Sequence, residues 1–283
     1  MCFTVARIRK SRGQIRPMHK ARPVAGGYEL SGRSNWNSGI MHADWVLTGL
    51  DLGDEEPKVA LVKAGDYEVD VVWDVAAMEG TGSNDMICEG TFVPSHRTLD
   101  VSAFFQGGAE SSTRFGNPLY TMPMLPFMFS EVISVMVGGL EGATRHYIEM
   151  LQSREPAYSP GKLAEMPIVH VKIGEAASRA RTAGKLQDAL IAETVEIQTT
   201  REFTLEDRLR LKLDAGTIAN HCRASINELI HEAGAASFHK KSPLQAWFRD
   251  INALSVHSFW DWHSCREQYG RGQVGLEPNH PAV

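Results

Sequence analysis

Acidic residues are missing from the first 28 positions of this 283-residue chain, where seven basic ones fall: Arg7, Arg9, Lys10, Arg12, Arg16, Lys20 and Arg22. No apolar core follows these charges, which excludes a secretory signal. The Arg-rich, acid-free composition is shared with transit peptides. Residues 1–21 are nevertheless expected to form a frayed basic terminus with no packed role. Setting the seven aside leaves 22 basic against 34 acidic side chains, a balance of −12. The whole chain stands at −5, so no global basic field points to nucleic acid or to an anionic membrane. Cysteine is scarce. Cys2, Cys88, Cys222 and Cys265 lie far apart with no C-x-x-C pair, which argues against a disulfide frame or a zinc site and for reduced thiols in a cytoplasmic protein. No run of eighteen or more apolar residues is present, so no transmembrane helix is expected.

What is present changes character along the chain. Residues 22–101 carry short apolar, β-branched runs separated by turn signals, among them Trp45-Val46-Leu47, Val59 to Val62, Tyr67 to Val75 and Met86 to Val93. That pattern predicts a small β-sandwich or barrel. Residues 102–126 read as a linker, with Gly107-Gly108, Ser111-Ser112, Pro118, Pro123 and Pro126. From 127 to 283 apolar residues recur at three- and four-residue spacing in four stretches: 127–154, 168–198, 205–234 and 243–269. Pro156, Pro160 and Pro167 part the first two. Thr204 with Asp207 makes a loose capping box for the third, and Pro243 opens the fourth. The expected fold class is α+β, a small β domain followed by a C-terminal four-helix bundle.

Metal and nucleophile signatures are weak. Glu228 and His231 give Glu-x-x-His once, where a di-iron bundle needs it on two helices. There is no His-Glu-x-x-His, no phosphate loop and no Gly-x-Ser-x-Gly. Gly138-Gly139 and Gly142 are read as permitting close helix contact. Three segments stand out instead. Ser31 to Gly39 (Ser-Gly-Arg-Ser-Asn-Trp-Asn-Ser-Gly) and Gly80 to Asp85 (Gly-Thr-Gly-Ser-Asn-Asp) read as polar loops between strands, able to offer donors to an anionic or heteroaromatic ligand. Pro243 to Ser258 reads as a buried helix whose apolar face carries one imidazole, His257.

Taken in order, these segments resemble the flavin-dependent two-component monooxygenases built on the acyl-CoA dehydrogenase fold. Trp36, Ser38 and Gly39 match the family's aromatic followed by Ser-Gly. Gly80 to Ser83 and Asp85 match its Gly-Thr-Gly-Ser-x-Asp. Tyr269-Gly270-Arg271 and Gly275-Leu276-Glu277-Pro278 match its tail. The likeness runs from about Arg22 to Val283. Departures are Glu79 in place of a basic residue, Ala77 in place of a glycine, and the apparent lack of the family's N-terminal helical domain.

The resemblance implies an oxygenase component that receives reduced FAD or FMN from a separate flavin reductase. It implies use of dioxygen through a C4a-hydroperoxyflavin to hydroxylate an aromatic small molecule, and assembly as a homotetramer. Trp36, Ser38, Thr81, Ser83 and Asn84 are the implied cofactor-binding residues: Ser38 beside flavin N5 and O4, Trp36 packing next to it, the other three on the phosphate side. His257 is the implied catalytic residue, facing the substrate and either taking the phenolic proton or donating to the peroxide. A dehydrogenase of this fold needs a carboxylate base close behind Arg249-Asp250. The sequence has none until Asp261, and Ser258 stands where that base would align. A dehydrogenase-type oxidoreductase and a non-catalytic, oligomerising remnant of the fold remain as alternatives.

Overall fold

The structure, a computed structural model, describes residues 3–5, 9–106, 114, 116–155 and 161–280, with side chains from Met18 onward. The chain divides into two compact units, Met1–Thr121 and Met122–Val283. Pro156, Pro160, Gly107-Gly108 and Ser111-Ser112 lie outside the described residues.

The first unit is one mixed sheet. Its strands are β1 (Phe3–Val5), β2 (Arg9–Val24), β3 (Gly27–Asn37), β4 (Trp45–Asp51), β5 (Lys58–Lys63), β6 (Glu68–Asp70), β7 (Asn84–Pro94) and β8 (Thr98–Asp100). Their order is β6-β7-β3-β2-β4-β5-β8, with β1 pairing to β2 off that path. All ladders are antiparallel except β2 with β4, which is parallel. Inward residues of β3, β4, β5 and β7, among them Leu30, Val46, Leu50, Val62, Met86 and Val93, form one buried cluster. Each such side chain contributes roughly 2 kcal/mol by leaving water. A short helix, α1 (Val101–Gln106), follows β8 inside the segment expected to be a linker.

The basic terminus is a correction to the sequence reading. Arg9–Val24 is an interior strand, laddered to β3 on one side and β4 on the other. Backbone hydrogen bonds do not depend on side-chain polarity, so a basic segment can serve. At its far end His19 is fully buried and its Nε2 lies 3.0 Å from Ser34 Oγ on β3. Burial lowers the His19 pKa from 6.5 to about 4, against a smaller opposing effect of a hydrogen bond to Gly32. Only the unfolded chain binds the proton between those values. Stability of the first unit should therefore decline as pH falls from about 6.5 to about 4 and level off below. Denaturant titrations across that range check it, and His19→Gln should flatten the slope.

A second difference is at Tyr67 to Val75, where strand ends at Asp70. Asn84 is the reason: its Oδ1 accepts the backbone N–H of both Val72 and Trp73, each at 2.9 Å, and so takes these groups out of any ladder.

The second unit is helical: α2 (Met124–Ser153), α3 (Pro167–Thr200), α4 (Leu205–Ala233), α5 (Pro243–Ser255) and α6 (Trp262–Gln273). Helix α2 buries Leu125, Phe129, Ile133, Met136, Leu140, Tyr147 and Leu151, one stripe at three- to four-residue spacing. By length and composition alone α2 could cross a membrane, with a mean hydropathy of 1.4 over its most apolar window. Here it packs against α3, α4 and α5 within the bundle. Pro126 sits in its first turn, where the missing N–H has no partner to lose. The box at α4 is complete: Thr204 Oγ1 accepts Asp207 N–H at 3.2 Å and Asp207 Oδ2 accepts Thr204 N–H at 2.9 Å. Arg201 and Arg210 also hold the Asp207 carboxylate, and Arg201 first among these contacts keeps it well below the usual carboxylate range.

Small residues set the helix spacing. A Cβ on Gly142 would come 3.2 Å from Trp247, and one on Gly139 would come 3.4 Å from Ile251, so both let α5 approach α2. Gly216 is tighter: a Cβ there would lie 2.7 Å from Cβ and Sγ of Cys265 on α6. Gly216→Ala should cost about 1–3 kcal/mol by overpacking, read as a lower thermal midpoint. Adding Cys265→Ala should restore part of the loss.

The fourth helix was expected to run unbroken from 243 to 269. It is two helices with a turn at 256–261. Trp260 Nε1–H donates to Leu254 O at 2.6 Å, and His257 N–H bonds the same carbonyl at 3.1 Å, so α5 closes on itself. Asp261 then caps α6, its Oδ1 accepting Ser264 N–H at 3.0 Å. His257 therefore lies in that turn and is exposed, not on a buried helical face.

Candidate functional site

The expected polar loops are largely strand. Ser31 to Asn37 belongs to β3, and Asn84 and Asp85 open β7. The pairing of β3 with β7 slips between Ser34 and Asn37, so Asn35 and Trp36 bulge from the ladder. Asp85 replaces the lost ladder partners. Its carboxylate accepts Trp36 N–H at 3.1 Å, Asn35 Nδ2–H at 2.6 Å and Arg33 Nη1–H at 2.8 Å. The bulge leaves Trp36 at φ 62°, a left-handed conformation that costs a bulky residue about 1–2 kcal/mol. It also leaves the indole 68% exposed. Strain and exposure of a large apolar side chain bring no packing gain within the unit, and bulges of this kind commonly re-aim a side chain toward a ligand.

Next to the bulge, two segments 45 residues apart meet. Gly39 N–H donates to Thr81 O at 2.6 Å, and Ser38 Oγ lies 2.9 Å from Ser83 Oγ. Ser83 Oγ is in turn 2.8 Å from Thr81 Oγ1, which donates to Met78 O at 2.9 Å. Each hydroxyl has one proton. A carbonyl can only accept, so the Thr81 proton is committed to Met78. Ser83 then donates to Thr81, and Ser38 donates to Ser83. The relay ends at Ser38 Oγ with acceptor lone pairs only, and it leaves neither Thr81 nor Ser83 a proton for a phosphate. Asn84 is buried, with its Oδ1 on Val72 and Trp73 N–H and its Nδ2 on Gly82 O at 3.3 Å. Of the five residues read from sequence, Trp36, Ser38 and Thr81 come together at the accessible end of β3 and β7, with Ser83 buried beneath them. Asn84 braces that end from inside.

In the second unit, His257 stacks on Trp260 with ring centroids 4.5 Å apart and planes at 20°. Trp260 is itself buried and fixed by its bond to Leu254 O. Phe259 packs edge-on to the imidazole at 5.1 Å. His257 Nδ1 accepts Phe259 N–H at 3.3 Å. That bond selects the neutral tautomer with hydrogen on Nε2, so the free edge of the ring is a donor. Solvent reaches the residue, yet enough protein surrounds the ring that desolvation lowers its pKa below 6.5 and keeps it neutral at pH 7. Ser258 is exposed in the same turn, with no carboxylate before Asp261. Asp261 is taken up in capping α6. A cavity of ≈ 40 Å³ beside the turn, bordered by Val256, Asp261, Trp262 and Arg223, has room only for a few waters. Among the described residues no group of three or more His, Cys, Asp or Glu side chains could hold a metal.

Sequence reasoning gave no role to Asp85, Trp260 or Lys212. Lys212 did leave a signal. It is a charge at the centre of the apolar stripe Leu209, Gly216, Ala219 of α4.

Comparison with known proteins defines first the fold. Residues 132–262 match the family described as "Acyl-CoA dehydrogenase, C-terminal domain". The chain superposes on the structure of XiaF from a Streptomyces species, in complex with FADH2 and glycerol, with a TM-score of 0.87 at 27% identity. That match covers 98% of this chain and 72% of XiaF. The "Pigment production hydroxylase" of a Rhodococcus species is 32% identical over 275 residues, 96% of this chain and 71% of that protein. The "Flavin-dependent monooxygenase, oxygenase subunit HsaA" of Rhodococcus jostii is 32% identical over 266 residues, 92% and 70% of the two chains. The chain belongs to the oxygenase components of flavin-dependent two-component monooxygenases with the acyl-CoA dehydrogenase fold.

Proposed function

We propose that this chain binds reduced FAD or FMN delivered by a separate flavin reductase and uses it, with dioxygen, to hydroxylate an electron-rich aromatic molecule. The observation that carries this reading is the one-way hydroxyl relay ending at Ser38. Ring nitrogen N5 of a flavin bears hydrogen in the reduced state and is a bare acceptor in the oxidised state. A serine that can only accept suits the reduced state. The accessible Trp36 indole, aimed by the bulge, offers a flat apolar surface for the edge of a heteroaromatic ring. These groups fit a flavin in its reduced form. When bound, it supplies the activation of dioxygen and the transfer of one oxygen atom.

The chain's own residues position the reactants. Ser38 accepts from N5–H, and Trp36 flanks the ring. Thr81 and Ser83 orient the Ser38 hydroxyl rather than donating to phosphate, and Asn84 braces the wall. His257 Nε2–H donates to the substrate's phenolic oxygen and so fixes the orientation of that hydroxyl. This role differs from both that the resemblance implies, taking the phenolic proton and donating to the peroxide: Nδ1 is already in use, and Nε2–H is a donor.

A homotetramer accompanies this reading. Val135 on α2 and Ile168, Val171 and Val195 on α3 are all more than half exposed. Packing of bundle against bundle in further copies of the chain would cover such residues. Light scattering behind a sizing column should give the mass of four chains.

Function is tested by supplying the protein with a flavin reductase, NADH and a panel of phenols under 18O2. The expected product carries one labelled oxygen on the ring. Unlabelled product, or consumption of NADH with peroxide as the only outcome across the panel, would contradict the assignment.

A further inference from the structure

Lys212 is fully buried in α4, in the middle of the helical unit. An ammonium group withdrawn from water carries a penalty of several kcal/mol unless strong hydrogen bonds compensate it. A methionine of similar length would fill the same space without that penalty. The lysine must therefore be doing something that packing alone does not need. Its Nζ donates to Phe259 O at 3.0 Å and lies 5.8 Å from the Phe129 ring centroid. Asp261 and Cys265 flank it, and His280 feels its charge.

Phe259 is the residue whose N–H holds His257 Nδ1. One amino acid thus joins the two side chains: its carbonyl is held by the ammonium and its N–H sets the imidazole tautomer. The carbonyl lies in the turn at 256–261, where no helical ladder supplies a donor, and its other contact is the weak one from Cys265 Sγ at 4.0 Å. Without the ammonium, that carbonyl would be left, among the described residues, with this contact alone. The peptide unit between Phe259 and Trp260 would then be held through Trp260 N–H, which donates to His257 O at 3.1 Å, and no longer from its carbonyl side, which loosens the turn that presents Phe259 N–H to His257.

We infer that Lys212 is the positioning residue for His257, acting through the backbone of Phe259. The part of this inference that concerns turnover rests on the role proposed above for His257; the structural part does not. Burial also lowers the Lys212 pKa to about 8, so the ammonium form that grips the carbonyl prevails at neutral pH.

The test is 15N NMR of the full chain labelled in histidine, with the His257 signals assigned by their loss in His257→Gln. Wild type should show His257 as the Nε2–H tautomer, with Phe259 N–H protected from exchange. Lys212→Met should show both tautomers and about tenfold less product per reduced flavin consumed, with flavin affinity unchanged. A single Nε2–H tautomer in Lys212→Met would overturn the inference. Should Lys212→Met fail to fold, wild type still decides: an Nδ1–H tautomer or a rapidly exchanging Phe259 N–H overturns it, and the predicted pair of signals supports it. A shifted tautomer with unchanged product yield would leave Lys212 as the positioning residue and remove His257 from the reaction, which separates the two readings.

Discussion

Replacing His257 with alanine should lower hydroxylation by about 10²–10⁴-fold, the range for a positioned proton-handling group, while flavin affinity stays within about tenfold. The imidazole sits in an exposed turn and packs on Trp260 and Phe259 through its own ring only. Its removal should leave the fold intact. His257→Gln sharpens the reading, because a carboxamide can donate a hydrogen bond and cannot take up a proton. With Nδ1 occupied by Phe259 N–H, donation is the assigned role, and the glutamine variant should retain more turnover than alanine. Equal loss in both variants would favour proton abstraction. Unchanged turnover in His257→Ala would remove the residue from the mechanism. Acid offers an independent check. The folded-state pKa of His257 lies below 6.5, so the neutral donor persists down to that value, and protonating Nδ1 would break its bond to Phe259. Product yield should fall only below pH 6.5.

The second large effect is expected at Trp36. Its indole is 68% exposed and its backbone is held at φ 62°. Glycine adopts that conformation without penalty. Trp36→Gly should therefore leave the thermal midpoint unchanged or raise it by the equivalent of about 1 kcal/mol. The same change should weaken reduced-flavin binding by tenfold or more, since one face of the proposed ring site is lost. Stability and affinity moving in opposite directions would mark Trp36 as strained for a ligand. A simple loss of stability with flavin affinity unaltered would mark it as structural.

Much of the architecture was readable from residue spacing. Helices α2, α3 and α4 fall within three residues of their expected limits, because a bundle helix must repeat its apolar residues at three and four. Strand β2 was not readable. Seven basic residues in 22 conceal an interior strand whose place is decided by backbone ladders to β3 and β4. The break between α5 and α6 was marked by Asp261, a good N-cap residue, but apolar spacing continued across it through Phe259, Trp260 and Trp262 and hid the turn. At the site, the motifs picked out Trp36, Ser38, Thr81 and Ser83 as two groups, one for the flavin ring and one for its phosphate side, and the fold brings the two groups together. Sequence could not supply the direction of the hydroxyl relay, which depends on Met78 offering a carbonyl to Thr81. Nor could it tell that the Asn84 amide is spent on Val72 and Trp73. Pairwise facts of this kind exist only once β3 and β7 are in register.

The claim most in need of a direct test is that this end of the sheet distinguishes reduced from oxidised flavin through an acceptor-only Ser38. Anaerobic calorimetric titration of the protein with FADH2 and FMNH2, set beside titration with FAD and FMN, measures it. One reduced flavin should bind at least tenfold more tightly than its oxidised partner, a difference of about 1.4 kcal/mol, and Ser38→Ala should abolish that margin. Equal affinity for the two redox states, or no binding of either, would contradict it.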